Sequence, residues 1–179
     1  MAGKHGKLKT GTKAYYNITC IRKKAKKVYR NPRLRRWQQM LKAYKYRIYP
    51  TNEQKEQIAK TFGCCRFVYN RTLAYRKEAY EKEKKTVNKT NCNNYCNQVL
   101  KKEYGWLKEV DKFALTNAIY NMDAAYQKFF KEHTGYPKFK SKHDGHKSYT
   151  TNFTNGNITA DFDRGKVKLP KLKEVKAKL

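Results

Sequence analysis

The stretch KAYKYRIYPTNEQKEQIAKTFGCCRFVYNRTL, residues 42–73, decides the fold. Within it, residues 43–50 alternate aromatic or aliphatic side chains with Lys and Arg, a pattern that predicts a strand ending at Pro50. Thr51 and Gln54 stand three residues apart, which is the spacing of a capping box. A helix is therefore predicted to begin directly after the strand.

A helical hairpin is predicted next. Ile58 and Phe62 form an apolar pair one turn apart, and Gly63 is predicted to end this first helix. A second helix is predicted from about residue 64 to 84, antiparallel to the first. The side chains that it is predicted to bury are Cys65, Val68 or Tyr69, Leu73 and Tyr80.

Two further helices are predicted beyond an Asn- and Thr-rich loop. The shorter one covers about residues 90–102, and Trp106 and Leu107 follow it as the anchor of a turn. The clearest helix covers residues 111–132, with Asp111 at its start, where a carboxylate suits the unpaired amides. Its apolar positions recur at helical spacing: Phe113, Leu115, Ala118, Ile119, Met122, Ala125, Tyr126 and Phe129.

Strands are predicted to return after residue 147. Turns are predicted at Asn155-Gly156, a strong hairpin signal, and at Arg164-Gly165. The predicted strands are residues 148–154, 158–162, 166–170 and 174–179. The order of strand, helices and strands predicts the α+β class.

The charge favours a polyanionic partner. Lys and Arg number 43 against 14 Asp and Glu, which gives a formal net charge of +29, and 39% hydrophobic residues still allow a folded core. A field of this sign favours nucleic acid first and an anionic membrane surface second. Residues 1–39 carry +13 with no acidic residue. This part is predicted to be a basic disordered arm, or an upstream extension ahead of a start at Met40.

Several functional classes are excluded by pattern. No apolar run approaches the roughly 20 residues of a membrane helix, and the first residues lack the apolar core of a signal peptide. The five cysteines are therefore expected to be reduced thiols in a cytosol-like compartment. No Gly-rich phosphate loop and no Ser-His-Asp set is visible, and no cofactor is expected.

Three groups of potential metal ligands are interpreted as structural. Asp161 and Asp163 flank a turn and are expected to be solvated. The HDGH run, residues 143–146, has the wrong spacing for a His-x-His site. Cys92 and Cys96 stand one helical turn apart without a further ligand pair nearby, so a buried helix face is favoured over a zinc site. No metal site is predicted.

Several ordered blocks carry a family resemblance. These blocks are residues 42–73, WLKEVDKFALTNAIYNMDAAYQKFF, GYPKFKSK, and SYTTNFTNGNI with KVKLPKL. Together they resemble the N-terminal half of the OrfB/TnpB proteins of insertion sequences, relatives of the compact type V CRISPR nucleases. In that family the full protein is an RNA-guided DNA endonuclease of prokaryotes.

The resemblance implies an architecture and a function. The fold would be a helical recognition lobe, residues 51–135 with a helix-turn-helix at its start, inserted into a small, incomplete wedge-type β-barrel. The barrel would consist of residues 40–50 and 136–179, truncated before a RuvC-like nuclease domain. The implied partners are DNA and a guide RNA from the transposon end, without a membrane, and the implied location is the cytoplasm at the nucleoid.

The sequence departs from the family at its catalytic motifs. The Gly-x-Asp motif that opens the family's nuclease domain fails at each candidate, since the later Gly triplets are GYP, GHK, GNI and GKV. The CxxC pairs of the family's zinc module are also missing. The chain is therefore predicted to bind nucleic acid without being an enzyme.

The resemblance also implies site residues by position. The helix that opens with VDKFAL and the turn after FTN face the duplex beside the guide-matched target. The DNA-contacting residues carried over are Lys112, Phe113, Thr116, Thr154 and Asn155. The charges expected along nucleic-acid backbones are Arg47, Arg66, Arg71, Lys138, Lys140, Lys147, Lys168 and Lys171.

Alternatives from other classes stay open. The main one is a small standalone basic DNA-binding regulator or transposase accessory protein. A transposase enzyme would need a carboxylate triad or a His pair with Tyr, and neither pattern is found. A ribosomal-type RNA-binding protein would share the charge but not the ordered blocks.

Overall fold

The computed structural model describes residues 16–27, 37–145 and 147–179, with side chains described in 45–145 and 147–179. The elements alternate as predicted, with helices between two groups of strands. In chain order they are β1 (Tyr16–Lys27), β2 (Trp37–Tyr49), α1 (Asn52–Glu83), α2 (Lys89–Tyr95), α3 (Lys101–Glu103), α4 (Lys112–Glu132), β3 (Thr159–Asp161), β4 (Lys166–Leu169) and β5 (Lys173–Lys178).

Helix α1 begins at the predicted capping box. The Gln54 amide donates to Thr51 Oγ1 at 3.3 Å, and the Thr51 amide donates to Gln54 Oε1 at 3.0 Å. The helix then continues for 32 residues and ends at Lys84, which adopts a left-handed conformation. Two unpaired amides at the start of the helix are thus satisfied reciprocally.

The predicted break at Gly63 is wrong, and with it the hairpin of two helices. Helix α1 passes through Gly63 without interruption. A glycine inside a helix costs about 1 kcal/mol relative to alanine, whereas Ile58, Cys64 and Val68 on either side of it are buried. Burial of the flanking turns therefore outweighs the glycine. Tyr80 was also predicted to be buried and is 58% exposed.

The next two helices agree with the prediction. A helical run continues from α2 through a π-helical turn, Cys96–Leu100, into α3. Helix α4 begins after Asp111, which caps it. The helical core is formed by α1, α2, α4 and the turns between them, and its largest fully buried side chains include Val68, Leu73, Leu100, Leu107, Leu115, Ile119 and Met122.

The strands form one antiparallel sheet in the order β1-β2-β5-β4-β3. The sheet is open, with β1 and β3 at its edges. The incomplete wedge-type barrel stays a prediction. Since β2 pairs with β5, all four helices lie in the chain between two neighbouring strands of the sheet. The class is α+β, as predicted.

The predicted strand at residues 148–154 is wrong. This segment has no regular secondary structure, although the turn at Asn155-Gly156 is present, with positive φ at both residues. Part of its backbone is hydrogen-bonded to a side chain and not to a partner strand. Asn117 Nδ2 donates to the Thr150 carbonyl oxygen at 2.9 Å. The turn at Gly165 forms as predicted and joins β3 to β4.

A second, smaller core lies under the sheet. Its buried members are Ile48, Ile58, Val167, Leu169, Leu172, Val175 and Ala177. Helix α1 contributes Ile58 to this sheet core and Val68 to the helical core. Gln54 Nε2 also donates to the carbonyl oxygens of Leu172 and Glu174, at 3.0 and 2.9 Å. The start of α1 therefore holds the β4–β5 hairpin.

The prediction of a disordered arm is wrong for Tyr16–Lys27. These residues form β1 and pair with β2 along its whole length, from Tyr16 opposite Ile48 to Lys27 opposite Trp37. The first half of β1 is rich in aromatic and β-branched residues, which favour strands. The rest of residues 1–39, apart from the start of β2, lies outside the described residues.

Candidate nucleic-acid interface

Asp111 links the start of α4 to a later part of the chain. Its Oδ1 accepts the Phe113 amide at 3.2 Å, as expected of an N-cap, and its Oδ2 accepts the Thr151 hydroxyl. Only 7% of Asp111 is exposed. A buried carboxylate with two donors fixes both the helix start and the chain at residue 151.

Asn117 makes the second link. Its Nδ2 donates to the Thr150 carbonyl oxygen at 2.9 Å and to Asn152 Oδ1 at 3.1 Å. Asn117 lies one and a half turns along α4 from Asp111. Residues 150–157, here named the 150–157 segment, are therefore held at two points along the first two turns of α4.

The 150–157 segment is itself braced by Asn157. Its Oδ1 accepts the Thr154 amide at 2.7 Å, and its Nδ2 donates to the Asn152 carbonyl oxygen at 3.0 Å. The Asn157 amide also donates to the Thr154 carbonyl oxygen at 3.1 Å. These bonds close a tight turn that presents Asn155, which is exposed with φ of 49°.

The predicted DNA-contacting residues lie on these two linked segments. Lys112 is exposed on the first turn of α4, with its Nζ 5.1 Å from the centre of the Phe113 ring. Phe113 is half-buried, and the Thr116 hydroxyl donates to the Lys112 carbonyl oxygen at 3.2 Å. Thr154 and Asn155 are exposed on the turn of the segment. Contact of any of them with DNA stays a prediction.

A basic groove lies between α1, α4 and residues 140–150. Its volume is about 230 Å³, and its lining includes Arg66, Lys140, Lys142 and Lys147. The one acidic group of the lining, Asp144, accepts the Ser141 amide at 3.1 Å. The groove therefore carries a positive excess.

Lys140 is held in place in the loop after α4. Its amide donates to Asn70 Oδ1 at 2.8 Å, and its carbonyl oxygen accepts Asn70 Nδ2 at 3.0 Å. Its ammonium lies 4.6 Å from the centre of the Tyr69 ring. One amide side chain on α1 thus pairs with the loop backbone as a neighbouring strand would.

The other predicted phosphate-contacting charges are spread over the molecule. Arg66, Lys140 and Lys147 share the basic groove. The remaining five lie on different elements: Arg47 on β2, Arg71 on α1, Lys138 in the loop after α4, Lys168 on β4 and Lys171 in the turn before β5. Three of the eight predicted phosphate-contacting residues therefore line the groove.

Cys92, Cys96 and Asp161, three of the potential metal ligands, lie in different surroundings. Cys92 and Cys96 are buried in the helical core, and burial raises the pKa of Cys92 to about 11. Asp161 accepts the Arg164 amide at 3.0 Å within the β3–β4 turn. Among the described residues, no three His, Cys, Asp or Glu side chains lie together as a metal site would require.

The linking residues Asp111, Asn117 and Thr151 were not predicted as parts of the site. Asp111 was expected only as a cap, and Asn117 carries no signal in the sequence because its partners are more than 30 residues away. Phe153, beside Thr154, is 69% exposed. Within the described chain, no helix has the length and apolar character for a membrane span.

Comparison with known proteins identifies a shared region. The family model HTH_OrfB_IS605, described as a helix-turn-helix domain, matches residues 40–85. In this chain the matched residues form most of β2 and the uninterrupted helix α1.

Three relatives match longer parts of the chain. An RNA-guided DNA endonuclease by name, from Streptomyces pristinaespiralis, is 36% identical over 101 residues, which is 56% of this chain and 25% of the relative. Virulence protein VsdF of Salmonella dublin is 38% identical over 99 residues, 51% of this chain and 83% of VsdF. InsQ of Escherichia coli (strain K12), also named as an RNA-guided DNA endonuclease, is 28% identical over 98 residues, 54% of this chain and 24% of InsQ.

The matches thus span about a quarter of the length of the two endonuclease relatives and most of VsdF. The family model and the two endonuclease relatives agree with the resemblance that the sequence blocks carry. The chain belongs to the OrfB/TnpB family of insertion-sequence proteins, and it carries the family's helix-turn-helix region.

Proposed function

We propose that this nucleic-acid-binding chain of the TnpB type binds a guide RNA and the duplex DNA adjacent to the target, and that it does not cleave DNA itself. The observation that carries the proposal is the joining of α4 to the 150–157 segment through Asp111 and Asn117. These hydrogen bonds join two blocks that lie about 40 residues apart in sequence and that the resemblance implicates.

Lys112 and Asn155 are proposed to read base edges on this surface. Lys112 belongs to a capped helix turn and Asn155 to a braced tight turn, so both backbones are fixed. An ammonium and an amide donate to base edges in the major groove, and a Thr methyl can pack against the methyl group of thymine. Lys112, Phe113, Thr116, Thr154 and Asn155 together form the proposed duplex-facing surface.

The basic groove, with Lys140 in its lining, is proposed to bind phosphates. Arg66, Lys142 and Lys147 line it, and none of them has an ion-pair partner among the described residues. Phosphate contacts fix the register of a nucleic acid without reading its sequence. The remaining predicted cations, Arg47, Arg71, Lys138, Lys168 and Lys171, are proposed to add sequence-independent affinity.

The test is selection from a randomised duplex DNA library by the full chain. The wild-type chain is expected to enrich a short motif. Lys112→Ala and Asn155→Ala are expected to lose about 1–3 kcal/mol on that motif and much less on scrambled duplex, because only the motif offers their base edges. The matched control is the double variant Lys138→Ala/Lys147→Ala, which should weaken both duplexes about equally.

Two outcomes would contradict the base-reading role. One is equal loss on motif and scrambled duplex for Lys112→Ala and Asn155→Ala. The other is the absence of any enriched motif with the wild-type chain while bulk binding persists. Bulk binding is expected to fall by roughly 10³-fold between 50 and 200 mM salt if about six phosphates are neutralised.

The absence of cleavage is proposed from the sequence motifs. The later Gly triplets lack the Asp that opens the family's nuclease domain. Supercoiled plasmid incubated with the chain and Mg²⁺ is expected to stay intact. Nicking that depends on added RNA and is stopped by EDTA would overturn this part of the proposal.

The alternative is a small standalone DNA-binding regulator or transposase accessory protein. The match to VsdF favours it, because 83% of that relative is covered by the aligned region. The two functions differ in their need for RNA. Sequence-selective duplex binding that is unchanged by added RNA would favour the alternative.

A further inference from the structure

Four aromatic rings form a cluster at the far end of α4. Ring centres lie 6.3 Å apart for Tyr126 and Phe130, 5.1 Å for Phe130 and Phe129, 5.4 Å for Phe129 and Tyr136, and 5.5 Å for Tyr136 and Tyr126. Each ring therefore contacts two others in a closed cycle. Offset and edge-to-face pairs of this kind hold one another in place.

The cluster is anchored on its inner side. Tyr126 is 5% exposed, its hydroxyl is hydrogen-bonded to that of Tyr136 at 2.5 Å, and the Arg76 guanidinium lies 4.1 Å from the centre of its ring. Arg76 is fixed in turn by an ion pair with Asp123 at 2.8 Å. The inner ring cannot turn without breaking these contacts.

The outer side of the cluster is open. Phe130 is 65% exposed and Tyr136 is 43% exposed. The exposed area of Phe130 does not stabilise the fold, because hydrophobic stabilisation comes from apolar area removed from water. Since the inner rings hold it, Phe130 offers a fixed aromatic face without further loss of side-chain entropy. This pair, Phe130 and Tyr136, is named the aromatic platform.

The charges around the aromatic platform favour a polyanion. In the sequence next to the platform, Lys128, Lys131 and Lys138 are exposed, and so is one acid, Glu132. Fixed rings among cations match the pattern of single-strand binding sites, where bases stack on rings and cations follow the phosphates. Lysine is depleted at protein interfaces, so these exposed lysines favour a nucleic acid over a protein partner.

We infer that the aromatic platform binds unpaired bases of single-stranded RNA. RNA presents unstacked bases in loops and ends, whereas the bases of duplex DNA are stacked on one another. The platform lies 18 residues along α4 from Lys112, about 27 Å at the helical rise, so it is separate from the duplex-facing surface. The inference rests on the proposed function only in that the chain binds RNA.

The test compares Phe130→Ala with Phe162→Ala in the full chain. Phe162 is a matched control because it is 67% exposed, yet it lies between Asp161 and Asp163. The probes are a 12-nucleotide single-stranded oligouridylate RNA, whose bases are unstacked, and a 20-base-pair duplex DNA. Phe130→Ala is expected to weaken RNA binding about tenfold, as loss of one stacked base should. It should leave duplex binding within about twofold, and Phe162→Ala should change neither.

Two further variants separate a stacking ring from an apolar contact. Phe130→Trp is expected to keep or tighten RNA binding, and Phe130→Leu is expected to lose it like Ala. Wild-type affinity in Phe130→Leu, or equal effects of Phe130→Ala and Phe162→Ala, would overturn the inference. Self-association of the wild-type chain in sedimentation that Phe130→Ala abolishes would assign the platform to a second copy instead.

The outcomes distinguish this inference from the proposed function. If the wild-type chain binds the RNA and the duplex but Phe130→Ala has no effect, the platform fails and the proposed function stands. If the wild-type chain binds neither probe, the proposed function fails. Equal losses by Phe130→Ala on single-stranded DNA of the same sequence would overturn the assignment to RNA.

Discussion

Helix α1 contributes to two cores that are held in different ways. The helical core buries large side chains from three helices, among them Leu73, Leu115 and Met122. The sheet core is smaller, and its buried members are mostly Val, Leu and Ala from β4 and β5. Since hydrophobic stabilisation follows the apolar area buried, the helical core contributes the larger share.

The sheet core is supported by polar contacts from the first turn of α1. Gln54 donates to two carbonyl oxygens at the turn and start of β5, and the Ala177 amide donates to the Gly165 carbonyl oxygen at 2.8 Å. The helical core buries more and larger side chains, and polar contacts such as the ion pair between Arg76 and Asp123 lie at its margin. The small sheet core therefore depends more on hydrogen bonds from the first turn of α1, and the helical core depends more on burial.

The largest expected effect is in the helical core. Leu115→Ala should lower the free energy of unfolding by about 2–5 kcal/mol, because it leaves a cavity among fully buried side chains. Val175→Ala in the sheet core should cost only about 1.6 kcal/mol, for two methylene equivalents. Urea unfolding followed by circular dichroism measures both, with exposed Lys102→Ala as the neutral control. Equal losses for Leu115→Ala and Val175→Ala would remove the distinction between the cores.

Local sequence patterns predicted the elements whose causes are local. The capping box of Thr51 and Gln54, the Asp111 cap and the apolar face of α4 each involve residues within a few positions, and all formed as predicted. Gly63 was misread because a local helix breaker was judged without the burial on both sides of it. The strand at residues 148–154 was misread because its alternation fitted, while Asn117 supplied the competing partner.

The sequence predicted which surface residues belong to the candidate site. It did not predict the residues that hold them in place. Lys112 and Asn155 followed from a family resemblance, and the structure brings their segments together. Their supports, Asp111, Asn117 and Thr151, act across 33 to 40 residues. A single sequence has no pattern that pairs an amide on one helix with a carbonyl so far along the chain.

The second prediction breaks the polar support of the sheet. Gln54→Ala removes two hydrogen bonds to the β5 region and one member of the capping box, and should cost about 2 kcal/mol. Thr51→Ala removes only the cap and should cost about 1 kcal/mol. Hydrogen exchange should quicken in β4 and β5 for Gln54→Ala. If amide exchange quickens only in the first turn of α1 in both variants, Gln54 acts only as a helix cap.

The third prediction concerns the link between α4 and the 150–157 segment. Asn117→Ala removes the hydrogen bonds to Thr150 and Asn152, and should cost about 1–2 kcal/mol. Amide exchange should quicken in residues 150–157 and stay unchanged in α1. The matched control is Asn121→Ala, an exposed amide one turn further along α4. Similar exchange in both variants would contradict the bridging role of Asn117.

The smallest expected effect is a pH dependence confined to the helical core. Burial raises the pKa of the Cys92 thiol from 9.0 to about 11. The raised pKa means that the folded state favours the protonated thiol, so the stabilisation is complete below pH 9 and is lost as the pH rises toward 11. Wild-type stability should therefore fall by about 1 kcal/mol more than that of Cys92→Ala between pH 8 and pH 10.

Urea unfolding of both chains at each pH measures this difference, since titration of the other groups is common to both. Val175→Ala is the control from the sheet core, and its difference from wild type should be the same at pH 8 and pH 10. Parallel curves for wild type and Cys92→Ala would mean that the thiolate is tolerated inside the helical core. The core would then be open to water on the alkaline side, and the contrast between burial in the helical core and hydrogen bonding in the sheet core would be lost.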